Sequence, residues 1–232
     1  NKDLNFLCEF FNSDKGEKSI NQYDKPSKQN DKKVISHGYA KIYEKYLHKF
    51  KEKKLNIIEL GSFYGNASAA LFFFFKNSQI YSADINPDMY IYSSKRLENF
   101  FTDTSSRSSI ENDIVKKNIK FDIVIEDASH MLKDQIISLF ILFKILKPGG
   151  YFIIEEIDFP ESRDDMRINQ EFPDLKTILK KIIQKENFES KYISLDEKNY
   201  FLNNVDFIKF YKGNINEIAI VKKKWQLIGE MA

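Results

Sequence analysis

The chain has 232 residues, 42% of them hydrophobic, with 36 basic and 34 acidic side chains that nearly cancel to a formal charge of +2. That length suits one α/β domain with at most a small appendage, and the charge balance disfavours a general nucleic-acid or membrane-surface binder, which would show a basic excess. No run reaches the roughly 18 apolar residues of a membrane span, and the N-terminus shows no basic-then-apolar leader pattern. The single cysteine, Cys8, allows neither an intrachain disulfide nor a cysteine zinc site, so a reducing, cytoplasmic setting is expected.

In chain order, residues 13–36 are polar and rich in Lys, Asn and Ser, and read as a loop or lid. Residues 37–50 place Tyr39, Ile42, Tyr43, Tyr46, Leu47 and Phe50 at helical spacing. Residues 1–54 thus form an N-terminal loop-and-helix cap ahead of a main domain over 55–232. LNIIEL (55–60) is a short buried-strand run ending in GSFYG, and small then bulky residues over 66–76 predict a helix packed tightly on a sheet. A second strand over 79–85 ends at Asp84; Pro87 opens a turn before a predicted helix over 88–98, and a weaker third strand follows over 98–103. FDIVIED (121–127) is a strong fourth strand, and the apolar stretch 131–146 is predicted helical, stopped by KPGG at 147–150. YFIIEEI (151–157) is a fifth strand; residues 158–173 are charged and irregular, and Leu175, Ile178, Leu179, Ile182 and Ile183 mark another amphipathic helix. The segments 205–211 and 217–224 flank a KGN turn and read as an antiparallel hairpin. Strands alternating with helices predict βαβ units and a mainly parallel sheet.

Two stretches carry chemistry. In ELGSFYG, Glu59 ends a strand and Gly61 and Gly65 let backbone approach a ligand at a helix N-terminus. Asp84 at the end of the next strand stands where an acid accepts hydrogen bonds from ribose hydroxyls. A dinucleotide loop wants glycine two residues after Gly61, but Phe63 stands there; the E-x-G-x-x-x-G pattern suits S-adenosylmethionine better. The second stretch, DIVIEDASHM, drives an apolar strand into Glu126 and Asp127 and sets His130 three residues on. An acid pair there is costly unless something positive or reactive meets it. The plain alternative is that Asp127 or Ser129 caps the following helix.

At this point SDKG (13–16), HGYAKIYEKYL (37–47), IELGSFYG (58–65), IYSADINP (80–87), DIVIEDASH (122–130), LKPGGYFIIEEI (146–157) and the closing hairpin carry a resemblance. The chain resembles the class I S-adenosylmethionine-dependent methyltransferases, and more narrowly the sugar O-methyltransferases of the macrocin and mycinamicin type. The resemblance implies a Rossmann-like sheet of order 3-2-1-4-5-7-6, last strand antiparallel, with helices on both faces and an N-terminal helical lid. It implies that Glu59, Gly61, Ser62 and Gly65 surround the methionine end of the cofactor, with Asp84 at the ribose, Asp103 near the adenine and Glu126 also in contact.

Parallel neighbours place their carboxyl ends together, so Asp127, Glu155 and Glu156 are expected to meet at the ligand crevice. Three such carboxylates repel unless protonated or bound to a cation, and an all-oxygen set suits Mg²⁺, with Mn²⁺ or Ca²⁺ as alternatives. In the resembled enzymes the matching acids hold a divalent metal. His130 is the expected general base, and His37 and Tyr39 are expected to cover the cofactor or acceptor. This chain has Glu-Asp-Ala-Ser-His at 126–130 where the family usually has Asp-Asp-Gly-Ser-His, and Glu155-Glu156 where it tends to Glu-Asp.

The expected function is metal-assisted methyl transfer to a hydroxyl of a sugar, nucleotide-linked or a glycan precursor, in bacterial polysaccharide or natural-product assembly. Two other readings fit the same residues: a phenol or catechol acceptor, and a non-catalytic cofactor-binding member of the fold. The aromatic excess, 21 Phe and 12 Tyr, leaves room for a homo-oligomer.

Overall fold

The computed structural model describes residues 2–19, 36–158 and 172–225. Seven strands form one sheet in the order β3-β2-β1-β4-β5-β7-β6. They are β1 (Asn56–Leu60), β2 (Gln79–Asp84), β3 (Leu97–Phe101), β4 (Phe121–Glu126), β5 (Leu146–Ile154), β6 (Val205–Lys212) and β7 (Glu217–Lys223). The first five run parallel, and β7 is antiparallel to both β5 and β6, as the sequence leads one to expect.

Side chains alternate across a strand with period two, so each strand feeds two cores. On one face Ile57, Ile123, Ile125, Tyr151, Ile153, Ile218 and Ile220 pack beneath α1 (Leu4–Phe10), α2 (Ala40–Leu47) and α3 (Asn66–Phe74). On the other face Ile58, Leu60, Val124, Phe152, Ile154, Ala219 and Val221 pack beneath α4 (Arg107–Asp113), α5 (Leu132–Leu142), α6 (Leu175–Gln184) and α7 (Leu195–Asn204). The N-terminal helices therefore share a core with the sheet: Leu4, Tyr39, Tyr43 and Leu47 are at most 1% exposed. Each such buried side chain contributes about 1.5–3 kcal/mol of transfer free energy.

Two expectations differ from what is found. Residues 88–98 do not form an α-helix: Pro87–Met89 make one 3-10 turn, and a tight turn closed by Leu97 N donating to Ser94 O at 3.0 Å leads into β3. Tertiary contacts override the local pattern there, since Tyr90 accepts a hydrogen bond from Ser82 at 3.1 Å and Ile91 N donates to Tyr64 O at 3.2 Å. The helix predicted over 131–146 ends at Leu142, and KPGG lies inside β5, where Leu146 already pairs with Phe121 ahead of a register shift. Lys223 supports the early stop by donating to Phe143 O at 2.9 Å and Leu146 O at 2.7 Å. The helix α7 adds to the elements expected from sequence, and Ser194 and Glu197 form a capping box at its start.

Candidate functional site

The carboxyl ends of β1, β2 and β4 and the loops after β3 and β5 enclose a pocket of about 930 Å³. Of the expected residues, Glu59, Gly61, Ser62, Asp84, Asp103, Asp127, His130, Glu156 and His37 line it. Backbone donors fix the Asp84 carboxylate in place, one oxygen accepting from Phe63 N and the other from Asn86 N, both at 2.8 Å. Ser62 is 5% exposed and its hydroxyl has no hydrogen-bond partner among the described residues, a group that a bound ligand would satisfy.

The parity of the strands sorts the acids. Glu59 shares a face with Ile57, so it points toward α3, where Ser68 Oγ donates to it at 2.5 Å. Glu155 continues the face of Ile153 and receives a short hydrogen bond from the Tyr43 hydroxyl of α2. Glu126 falls on the opposite face with Val124, fully buried toward α5. Burial, then the charge of Asp127, pushes Glu126 up to about 8. Its side chain is not among the residues that line the pocket. Gly65 N-caps α3 behind the wall; Tyr39 is wholly buried outside it, its ring 5.3 Å from that of His37.

The positive partner that the acid pair demands is Lys15, from the SDKG stretch. Its ammonium is 3% exposed and contacts Asp127, Glu155 at 2.9 Å and Glu59 at 3.5 Å. Burial lowers the Lys15 pKa, but Asp127, Glu155 and Glu59 together outweigh it and hold the group charged. Burial and the neighbouring Asp127 push Glu155 up to about 8. The capping alternative for Asp127 does not occur: Met131 is the N-cap of α5, and Ser129 instead donates to Asp134 at 2.6 Å.

Glu156 turns the other way. Its φ of +50° is left-handed, which breaks the strand alternation and aims the carboxylate into the pocket. There it lies 3.2 Å from His130 Nε2 and 2.9 Å from His37 Nδ1. Asp127 Oδ1 stands 3.8 Å from His130 Nε2. Burial raises the Glu156 pKa, but His37 and His130 outweigh it and hold it below the usual carboxylate range. Burial lowers His37, yet Glu156 wins and lifts it to about 9. Among the described residues no three His, Cys, Asp or Glu side chains are arranged to enclose a metal ion.

Sequence reasoning misses Lys15 and Asp134, both in the wall. For Lys15 a signal exists, because a buried acid cluster requires a cation and SDKG offers one beside a glycine. Asp14 and His37 are joined through backbone, His37 N to Asp14 O at 2.7 Å, and Ser36 Oγ donates to Ser19 Oγ at 2.7 Å.

A methyltransferase domain family model matches residues 51–203. Over 128 residues the chain is 26% identical to the 8-demethyl-8-alpha-L-rhamnosyl tetracenomycin-C 2'-O-methyltransferase of Streptomyces olivaceus, covering 52% of this chain and 33% of that protein. It is 25% identical to the mycinamicin VI 2''-O-methyltransferase of Micromonospora griseorubida over 52% of this chain and 32% of the relative. These matches span about a third of the relatives' length. Among solved structures, the MycE methyltransferase of the mycinamycin pathway, in complex with Mg, SAH and mycinamycin VI, superposes with a TM-score of 0.71 at 19% identity, covering 100% of this chain and 57% of that one. The chain belongs to the methyltransferase domain family, as a class I S-adenosylmethionine-dependent methyltransferase related to the macrocin- and mycinamicin-type sugar O-methyltransferases.

Proposed function

We propose that this chain transfers a methyl group from S-adenosylmethionine to a hydroxyl of a sugar, assisted by a divalent metal. The observation that carries the reading is one pocket lined by Glu59, Ser62, Asp84 and Asp103 together with Asp127, His130 and Glu156. We assign the first four to the cofactor and the last three to the acceptor. The relatives named as sugar 2'- and 2''-O-methyltransferases support the choice of acceptor.

The residues fit both groups. The unpartnered Ser62 hydroxyl and the fixed Asp84 carboxylate suit a polar cofactor with an amino-acid tail and a ribose. Asp127 and Glu156 present carboxylate oxygens to the pocket, and Mg²⁺ is commonly held by one or two carboxylates with waters and substrate completing its shell. When bound, the cofactor supplies an electrophilic sulfonium methyl, and the metal supplies a Lewis acid that eases loss of the hydroxyl proton. His130 would take that proton at Nε2, the nitrogen that lies nearest Asp127 and Glu156. Much of the rate would come from the pocket holding acceptor hydroxyl and cofactor together.

Transfer of labelled methyl to a panel of free sugars, nucleotide sugars and phenols, with Mg²⁺ and with a chelator, tests the reading. Mg²⁺-dependent label on a sugar is expected. Label on phenols alone would discard the sugar acceptor, and label that survives the chelator would discard metal assistance.

A further inference from the structure

Lys15 stands outside the 51–203 segment that the methyltransferase domain family defines, so the general fold does not supply it. It arrives on the N-terminal arm, fixed by Ala40 N donating to Lys15 O at 2.8 Å. Its ammonium then sits, almost wholly buried, among carboxylates from the ends of β1, β4 and β5. A buried charge survives only when paired, and here the pairing is threefold. Of the three acids expected to bind metal, Glu155 is the one turned from the pocket: Lys15 and Tyr43 both contact its Oε1, it is 2% exposed, and it is not among the lining residues. Glu156, the very next residue, faces the pocket through its left-handed turn. Asp127 is shared, with Oδ2 on Lys15 and Oδ1 toward His130.

We infer that Lys15 divides the acid cluster, keeping Glu155 in its own hydrogen-bonded pairing with Tyr43 and leaving a divalent ion to Asp127 and Glu156. This rests on the metal-assisted reading and sharpens it: the ion is bound by two carboxylates, not three, and a fixed cation stands behind them. Lys15 is thus a positioning residue. It keeps Asp127 oriented, links that acid to Glu59 on the cofactor side, and weakens the metal site by its own charge, leaving coordination positions to the acceptor.

The test is Mn²⁺ binding to the full chain, read from the free-Mn²⁺ electron paramagnetic resonance signal, with folding checked by circular dichroism. In the wild-type background Asp127→Asn should weaken Mn²⁺ at least about tenfold, whereas Glu155→Gln should change it by no more than about threefold. Lys15→Met should tighten Mn²⁺ by about tenfold or more, and adding Glu155→Gln to it should remove the gain, because the freed carboxylate becomes a ligand. Should Lys15→Met fail to fold, the isosteric Glu155→Gln decides alone. If Glu155→Gln weakens Mn²⁺ as much as Asp127→Asn does, Glu155 is a ligand and the division is wrong, while the metal reading stands. If neither wild type nor Lys15→Met binds Mn²⁺, the metal reading itself falls and takes this inference with it.

Discussion

Replacing Gly61 by alanine tests how closely the two site loops meet. A Cβ at Gly61 would lie 2.0 Å from Asp127 O and 2.5 Å from Ala128 Cα, at a φ of +79°. The left-handed backbone costs a non-glycine residue roughly 1–2 kcal/mol. The clash adds overpacking strain of about 1–3 kcal/mol, because its partner is backbone and cannot rotate away. The sum, about 2–5 kcal/mol, is a large part of a domain's usual stability of about 5–15 kcal/mol. Gly149 provides the control. Its φ of +75° is similar, but the atoms a Cβ would meet belong to the Trp225 side chain, which is 66% exposed and free to swing aside. Gly149→Ala should therefore cost only the backbone part, about 1–2 kcal/mol. Urea unfolding followed by far-ultraviolet circular dichroism measures both, and avoids tryptophan fluorescence because Trp225 packs on Gly149. If Gly61→Ala is no worse than Gly149→Ala, the loops after β1 and β4 do not touch as described, and the shared wall they form for the pocket is lost with that contact.

Three further outcomes are expected. His130→Ala should lower turnover by about 10²–10⁴-fold in steady-state assays while cofactor affinity by calorimetry stays within about threefold; near-normal turnover would remove His130 from the base role. Glu126 is raised from 4.5 to about 8, so the folded state holds its proton longer than the unfolded chain. Native protein then binds more protons across that window, stability falls as pH rises through it, and Glu126→Gln should shrink this loss to the share left by Glu155, which is also lifted to about 8. Denaturant midpoints measured against pH that fall alike in both proteins would refute it. Lys223→Met strips donors from Phe143 O and Leu146 O and should cost about 1–3 kcal/mol in urea titration, an effect absent if those carbonyls find water instead.

The sheet is legible in the sequence because β1, β4 and β5 are dense apolar runs whose ends carry the acids. The fate of each acid is not, because adjacency in sequence hides opposite directions in space. Glu126 and Asp127 part by simple alternation, and Glu155 and Glu156 part through a left-handed residue that no local pattern announces. Lys15 lies far along the chain from its partners, and only the fold brings it to Asp127. The helical pattern over 88–98 misleads because Tyr90 and Ile91 gain more from tertiary contacts than from a helix. KPGG misleads because apolar residues run unbroken from α5 into β5, and periodicity alone does not mark where one becomes the other.

Ser19 meets Ser36 and Asp14 meets His37, so the chain on either side of positions 20–35 is held together at one point. Because the ends are already closed, doubling the length of such a segment costs only about 0.6 kcal/mol in chain entropy. Asp14 and His37 both line the pocket, so that junction adjoins it. A change of length between Ser19 and Ser36 should therefore cost the fold little, which makes that junction a place to vary the chain without disturbing the sheet.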